Sequence, residues 1–460
     1  MKVLDPTMKE CHDMSGATDD LAEFIASTRD VPETTSRVIV DSLLDFVGLA
    51  AFAGRFAESS PAFRAGAMIF DYKGPYTVIG DPHGHSLAAA ALLNGAFAHT
   101  LDFDDTNASG TLHPGAPIIA AAMAQVEQQD VSGRDFVAAV ALGYEVACRV
   151  GAAMGEAAYA RGFHLTSVAG IFGAVAAVAR LQRLPASSIA DALGLAGSLA
   201  AGSMQYLDSG AWNKRLHPGF AAQGALQAVA LARAGVRGAR EPIEGRLGAL
   251  HAYSPKPKPE RLLDGLGSCW ISDQTAIKPY PSCRLTHGAI DAARALRASV
   301  PADCLADVTL AASLSPTAFD VVGQPLPNKI APSNIVDGQF SVYFQLALAW
   351  LEGEVAWTSY DRLGAPHVGA FMSRIRVSAD PSLQVLGCEL RVDGHPGLVE
   401  RIEAPLGEPS NPLGRHELVA KFMSLAVPVF GDKRAAAIVS CILHVRGEPS
   451  VLNLIAMLRG

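Results

Sequence analysis

Gly133-Arg-Asp-Phe-Val-Ala-Ala-Val-Ala-Leu-Gly-Tyr-Glu-Val-Ala-Cys-Arg-Val-Gly151 decides what kind of protein this chain is. A run this apolar is either a membrane span or a helix buried in a large core. A spanning helix needs about 20 residues with little charge, and Phe136 to Val150 contains both Glu145 and Arg149. Two further apolar runs read the same way. Leu165 to Leu181 carries Thr166 and Ser167 and meets Arg180, with Arg183 close behind, and Gly194 to Met204 is rich in Gly, Ala and Ser, which suits close helix packing. All three are expected to be core helices, with no membrane partner. The whole chain agrees: 460 residues, 50% hydrophobic and only 18% charged, too long for one ordinary core, with surplus apolar surface that points to a homo-oligomer.

The expected class is mainly α with an α+β lid. From Asp19 to about Leu250 the periodicity is helical, for instance at Ser36–Ala51, His85–Ala98, Gly133–Gly151, Ser187–Ala201 and Gln223–Gly235. Ser254-Pro-Lys-Pro-Lys-Pro-Glu260 reads as an exposed connection. Short β-branched or alternating runs follow at Val308–Leu314, Ser373–Val377, Glu389–Val392 and Leu398–Ile402, with a helix at Gly338–Leu351. Helical pattern returns at His416–Leu425 and Arg434–His444, and its Ala- and Leu-rich composition assigns it to the first body. The expected division is 1–265 for the helical domain, 266–407 for the lid, and 408–460 for C-terminal helices rejoining the helical domain.

The first sixteen residues lack an apolar segment and a small-residue cleavage pattern, so a cytoplasmic location is expected. Seven scattered cysteines with no C-x-x-C pair give no disulfide framework, structural zinc site or iron–sulfur ligation pattern. A net charge of −8 gives no basic footprint for nucleic acid.

Within that acidic chain, cations and histidines gather in a few segments. Leu101-Asp-Phe-Asp-Asp-Thr-Asn107 puts three carboxylates within four residues, which repel unless solvated at a helix cap or offset by cations and donors; Thr111-Leu-His113-Pro-Gly115 follows it. His164 precedes an apolar helix that Thr166 or Ser167 could cap. Lys214 and His217, three apart in Trp212-Asn-Lys-Arg-Leu-His-Pro-Gly219, can face one way at a helix start. Ile277-Lys-Pro-Tyr-Pro-Ser-Cys-Arg-Leu-Thr-His287 presents Lys278, Arg284 and His287 from a proline-stiffened backbone. Cys283 reads as a small buried residue rather than a nucleophile, and His83 and His85 as a loop before a helix. The local excess of cations points to a small anionic carboxylate substrate.

DFDDT…HPG, GYE (Gly143 to Glu145), GFH…T, NKRLHPG and KPYPSCRLTHGAID, in this order, resemble the motif set of the MmgE/PrpD family, and the resemblance runs from about Thr35 to Phe422. That family includes 2-methylcitrate dehydratase, cis-aconitate decarboxylase and iminodisuccinate epimerase. The resemblance implies a large helical domain closed by both chain ends, an α+β lid, a homodimer, and no cofactor or metal. It implies a catalytic set of Asp102, His113, His164 and Lys214, and carboxylate-binding roles for Thr106 and Lys278, beside which His217, Arg284 and His287 are placed as substrate-binding residues. Where the decarboxylase branch has Lys-x-x-x-x-His, this chain has Cys283 after Lys278. The expected activity is therefore a hydro-lyase acting on a 2-methylcitrate-like di- or tricarboxylate. Epimerisation, decarboxylation and non-catalytic binding of an anionic metabolite are the alternatives. Removing a proton beside a carboxylate needs a base, expected from His164 or His113, and cations to stabilise the enolate-like transition state, expected from Lys214 and Lys278. The lid segment Asn334–Phe344, with Gln339, Ser341, Tyr343 and Phe344, is expected to line the cleft.

Overall fold

The computed structural model describes residues 16–69 and 73–460; the reading of the first sixteen residues as leader-free lies outside these, save for Gly16. Six long helices build the first body: α1 (Glu33–Phe56), α2 (Leu87–Thr100), α3 (Gly115–Val126), α4 (Gly133–Met154), α5 (Gly170–Leu181) and α6 (Asn213–Arg233). Every residue of α3 and α5 is buried, and α5 packs on α3, α4 and α6 while α6 lies along α2. Small side chains permit this closeness. A Cβ on Gly173 would come within 2.4 Å of the Gly143 carbonyl, and one on Gly143 within 2.8 Å of the Gly173 carbonyl, so α4 and α5 touch through paired glycines.

α4 is long and apolar enough to cross a membrane, yet it is almost wholly covered by protein. Ser132 caps its start by accepting from the Asp135 N–H, and Gly155 ends it with φ of 67°. The two charges that argued against a span form an ion pair of 2.7 Å, Glu145 to Arg149, one turn apart. Arg149 also donates to the carbonyls of Leu262, Asp264 and Cys269, and Glu145 accepts from the Ile271 and Ser272 N–H groups. The pair fastens the connection after Ser254 onto α4.

α6 begins at Asn213, ten residues before the start expected at Gln223. It runs through Pro218, whose missing N–H forgoes one helical hydrogen bond. Two short antiparallel pairs interrupt the helical body: Tyr76–Thr77 with Gly84–His85, and Thr106–Asn107 with Thr275–Ala276. The second pair holds the acidic loop against the approach to Lys278.

A separate hydrophobic core forms between Tyr280 and Val392. Its sheet comprises β1 (Leu310–Leu314), β2 (Ile375–Ala379), β3 (Cys388–Val392) and β4 (Val399–Ile402), in the order β2-β1-β3-β4, with β1 and β2 parallel and the other pairs antiparallel. Along β1, Leu310, Ala312 and Leu314 are buried and face α7 (His287–Arg297) and α8 (Val342–Leu351). The single helix expected over Gly338–Leu351 is two, Ile335–Gln339 and α8, because Asn334 and Ser341 each cap a new start.

α9 (Arg415–Phe430) and α10 (Asp432–Leu443) follow the sheet. Leu418, Phe422, Leu425, Ile438 and Ile442 belong to the first core, as do the partly buried Trp270, Ile271 and Ile277 packed on it. The chain thus enters the second core just after Lys278, beside the acidic loop, and leaves it before α9, where the Ile277 N–H donates to the Gly407 carbonyl and ties the two crossings together.

Candidate active site

The loop after α2 is buried, unlike a solvated helix cap, and each of its three carboxylates has its own partners. Asp102 Oδ1 lies 2.7 Å from Lys214 Nζ and 2.9 Å from Lys278 Nζ. Lys278 also donates to the Asp102 carbonyl at 2.9 Å, which fixes Asp102 in the left-handed region at φ 51°, an uncommon conformation for a residue with a Cβ. Burial alone would raise the Asp102 pKa, but the two lysines outweigh it and hold it well below the usual carboxylate range.

Asp104 serves two histidines. The His99 Nδ1–H donates to its Oδ2 at 2.7 Å, and His113 Nδ1 lies 3.2 Å from its Oδ1, too poorly aligned for a hydrogen bond. Burial opposes ionisation of Asp104, and the two imidazoles reverse that effect. Asp105 accepts from the Tyr144 hydroxyl at 2.7 Å and the Gly115 N–H at 3.0 Å. Its pKa is pushed up to about 7, chiefly by burial. Tyr144 is the tyrosine of the GYE motif, so that motif supports the acidic loop from α4.

Four imidazoles cluster beside the lysines. His99 stacks on His164 at 5.5 Å between ring centres and meets His113 edge-on at 4.7 Å. His164 Nδ1 and His217 Nδ1 are 3.0 Å apart, so one donates and the other accepts, and the accepting nitrogen carries no proton. Burial lowers the pKa of His164 far below its ordinary value and those of His113 and His217 to about 4. Thr166 does not cap the helix; its hydroxyl accepts from the His113 N–H at 3.1 Å. Ser167 donates to the His217 carbonyl instead.

Asp102, His113, His164, Lys214, His217 and Lys278 are thus brought together as the motifs suggested. Thr106 sits at the edge of the group with its buried hydroxyl unpartnered by protein. Of the residues placed with substrate binding, Arg284 is engaged elsewhere, while His287 keeps a buried ring nitrogen without a hydrogen-bond partner. The Arg284 guanidinium forms a two-pronged ion pair with Glu408, across the second chain crossing. His287 is buried edge-on to Tyr280, at 5.3 Å between ring centres, and starts α7. Of the lid residues, Gln339 donates to the Leu101 carbonyl at 2.7 Å, and Phe340 lies 5.5 Å from Lys214 Nζ. Ser341 caps α8, Tyr343 bonds the Gly323 carbonyl and Phe344 fills the second core.

His99 and Asp104 were not singled out from the sequence. His99 falls where the helix pattern ends, and its signal is spacing: it stands three residues before Asp102 and five before Asp104. Tyr206 was missed as well; it meets His164 and His217 edge-on at 6.2 and 5.9 Å. His99, Asp104 and His113 offer donor atoms within 4.8 Å of one another, a nitrogen and oxygen set of the kind that binds transition metals.

The MmgE/PrpD N-terminal domain matches residues 19–262 and the MmgE/PrpD C-terminal domain residues 280–444. Cis-aconitate decarboxylase of Aspergillus terreus is 27% identical over 485 aligned residues, covering 98% of this chain and 95% of that protein. Human cis-aconitate decarboxylase is 27% identical over 459 residues, covering 94% and 92%, and the mouse enzyme 28% over 364, covering 73% and 71%. Both halves match in order over most of the length, with the boundary falling where the chain passes from one core to the other, and the chain belongs to the MmgE/PrpD family.

Proposed function

We propose that the chain is a lyase that acts on a small di- or tricarboxylate at the carbon next to a carboxylate group, and that its reaction is decarboxylation of a cis-aconitate-like substrate. One observation carries the proposal: a single carboxylate oxygen, on Asp102, is shared by two lysines, Lys278 buried and Lys214 partly buried, beside four imidazoles. Two ammonium groups converge on the one carboxylate of Asp102, while the Asp104 carboxylate is paired with His99 and His113, and that local concentration of positive charge suits a polyanionic substrate.

In the reaction proposed, the bond from carbon to the departing carboxylate breaks and carbon dioxide leaves. The electron pair stays on carbon and spreads toward a neighbouring carboxyl group. Lys214 and Lys278 stabilise that developing charge from fixed positions. A proton then closes the carbanion, delivered by His113 or His164. Both rings are neutral in the empty site, and a polycarboxylate beside them raises their pKa, so substrate and proton enter together. Asp104 holds His113 and His99 in place, and Thr106 offers its free hydroxyl to a carboxylate.

Dehydration begins by pulling a weakly acidic proton from carbon and so needs a base; decarboxylation needs none and asks only for cations and an acid, which the two lysines and an imidazole protonated on substrate binding would supply. The curated relatives are named for the same reaction. Hydro-lyase chemistry is the second reading, favoured by Cys283, which stands where the decarboxylase branch carries a histidine. Proton NMR of the purified protein with cis-aconitate, citrate, 2-methylcitrate and dicarboxylates in heavy water, with carbon dioxide measured in parallel, decides between them. Decarboxylation predicts one carbon dioxide per turnover and one deuterium in the product. Interconversion of hydrated and dehydrated acids without gas would establish the second reading, and no turnover of any polycarboxylate would sink both.

A further inference from the structure

Lys421 lies in the C-terminal helix α9, more than 140 residues beyond Lys278, and is buried beneath the site. Its ammonium group is 2.6 Å from Asp45 Oδ1 on α1. It donates to the Phe103 carbonyl at 2.8 Å and to the Lys278 carbonyl at 2.9 Å, and sits 3.7 Å from the centre of the Phe103 ring. An ammonium has three hydrogens; two carbonyls accept from it, and the Asp45 carboxylate pairs with its charge outside hydrogen-bond alignment, with the aromatic face alongside.

The two carbonyls matter by position. Phe103 separates Asp102, which the lysines clamp, from Asp104, which orients His99 and His113. Lys278 is the second lysine of the clamp. Neither Phe103 nor Lys278 lies in a helix or strand, so no regular ladder fixes these two stretches of backbone. Without Lys421 two buried carbonyls would lose a charged donor, and the distance between them would be free to change. α9 itself is rigidly seated. It packs along α1, where Phe422 fills the space a side chain at Gly48 would need, 3.1 Å from the position of a Cβ there.

We propose that Lys421 is a positioning residue that fixes the acidic loop and the Lys278 segment relative to each other, so that the C-terminal helix sets the geometry of the catalytic cluster without touching substrate. This role rests on the proposed site only for its kinetic readout.

The test separates the two jobs of Lys421, neutralising Asp45 and holding the carbonyls. Asp45→Asn removes the ion pair and keeps both carbonyl bonds. Lys421→Met combined with Asp45→Asn removes both without leaving a lone buried charge. The hydrogen-bonded His99 ring proton, followed by nitrogen-edited NMR, reports the loop geometry independently of any activity. Asp45→Asn is expected to lower the melting temperature while leaving that resonance in place and kcat within about threefold. The double variant is expected to melt near Asp45→Asn, shift the resonance, and lose about 100-fold in kcat, the effect of a misplacement of about 1 Å. A folded double variant that matches Asp45→Asn in both resonance and kcat would overturn the proposal. Should the double variant not fold, Lys421→Arg decides. It keeps the charge but sets its donors too far along, so a shifted resonance is expected, and an unshifted one overturns the idea. If the wild-type protein turns over no polycarboxylate, the functional reading fails while the NMR arm still judges Lys421.

Discussion

Replacing Asp102 by Asn tests the charge logic of the site most directly. At 2.7 and 2.9 Å, each lysine attracts the carboxylate by about 6 kcal/mol at an effective dielectric constant of about 20. Desolvation of the three charges offsets most of that attraction, so the intact cluster contributes little to stability. Removing only the carboxylate is different. It leaves two ammonium groups close together without a counter-charge, which costs about 3–5 kcal/mol for a buried group, and the lower end applies because Lys214 keeps 15% of its side chain exposed. A tricarboxylate supplies the missing charge. If a third to a half of the loss is recovered on binding, an unreactive analogue such as tricarballylate gains about tenfold in affinity, the equivalent of about 1.4 kcal/mol. Thermal denaturation and titration calorimetry, each with and without tricarballylate, read both effects. The expected variant is less stable alone, is restored disproportionately by the analogue, and turns over at least about 100-fold more slowly. Unchanged stability with unchanged analogue affinity would refute the clamp, and lost turnover alone would then identify Asp102 as a proton-transfer group.

Three further outcomes follow from the same geometry. His113 and His217 have pKa values depressed to about 4 by burial; a depressed histidine contributes stability above its ordinary value of about 6.5 that is lost as pH falls toward 4, so urea unfolding should weaken across that window and His113→Asn should flatten the slope. Binding of tricarballylate at pH 7 should take up about one proton, because the anion raises imidazole pKa values; calorimetry in buffers of different ionisation enthalpy measures it, and zero uptake contradicts the acid role of the histidines. Chelation with EDTA should leave turnover intact and metal analysis should find well under one transition metal per chain; loss of activity restored by one divalent ion would reassign His99, Asp104 and His113 as ligands.

Much of this architecture could be read from residue patterns because local rules and tertiary context agreed. The four strand runs emerge within a residue or two of their expected positions, since alternation over four or five residues matches a half-buried sheet. Charges at 145 and 149 form a buried pair inside the helical body, though their job of holding Leu262, Asp264 and Cys269 has no signature in the sequence. Errors came where one side chain redirects the backbone. Ser341 starts a new helix inside an apolar run, and the helical run read at Gln223–Gly235 belongs to a longer helix that begins at Asn213 and passes through Pro218. In the site, motif positions found the lysines and three of the four histidines. Arg284 was grouped with them because it is six residues from Lys278, but Glu408, 124 residues away, claims it. Partners at such separations are set by the fold and leave no local trace.

The acidic loop shows how the cluster tolerates its own charge. Asp102, Asp104 and Asp105 cannot all ionise side by side in a buried loop without cost, and the structure sorts them by partner. Asp102 faces two lysines and stays charged; Asp104 faces two imidazoles and stays charged. Asp105 faces a tyrosine hydroxyl and one backbone N–H, which offset too little of its burial, and the neighbouring Asp104 charge adds to the shift that carries its pKa to about 7. Near neutral pH it therefore holds a proton about half the time. A carboxyl raised this way contributes stability at low pH that is lost as pH climbs toward 7, the opposite slope to that of the depressed histidines only a few residues on. Acid protonates His113 beside Asp104, and alkali ionises the carboxyl of Asp105. The same loop is strained at both ends of that range, so the pH at which all its partners are satisfied together is bounded by its own two kinds of titrating group.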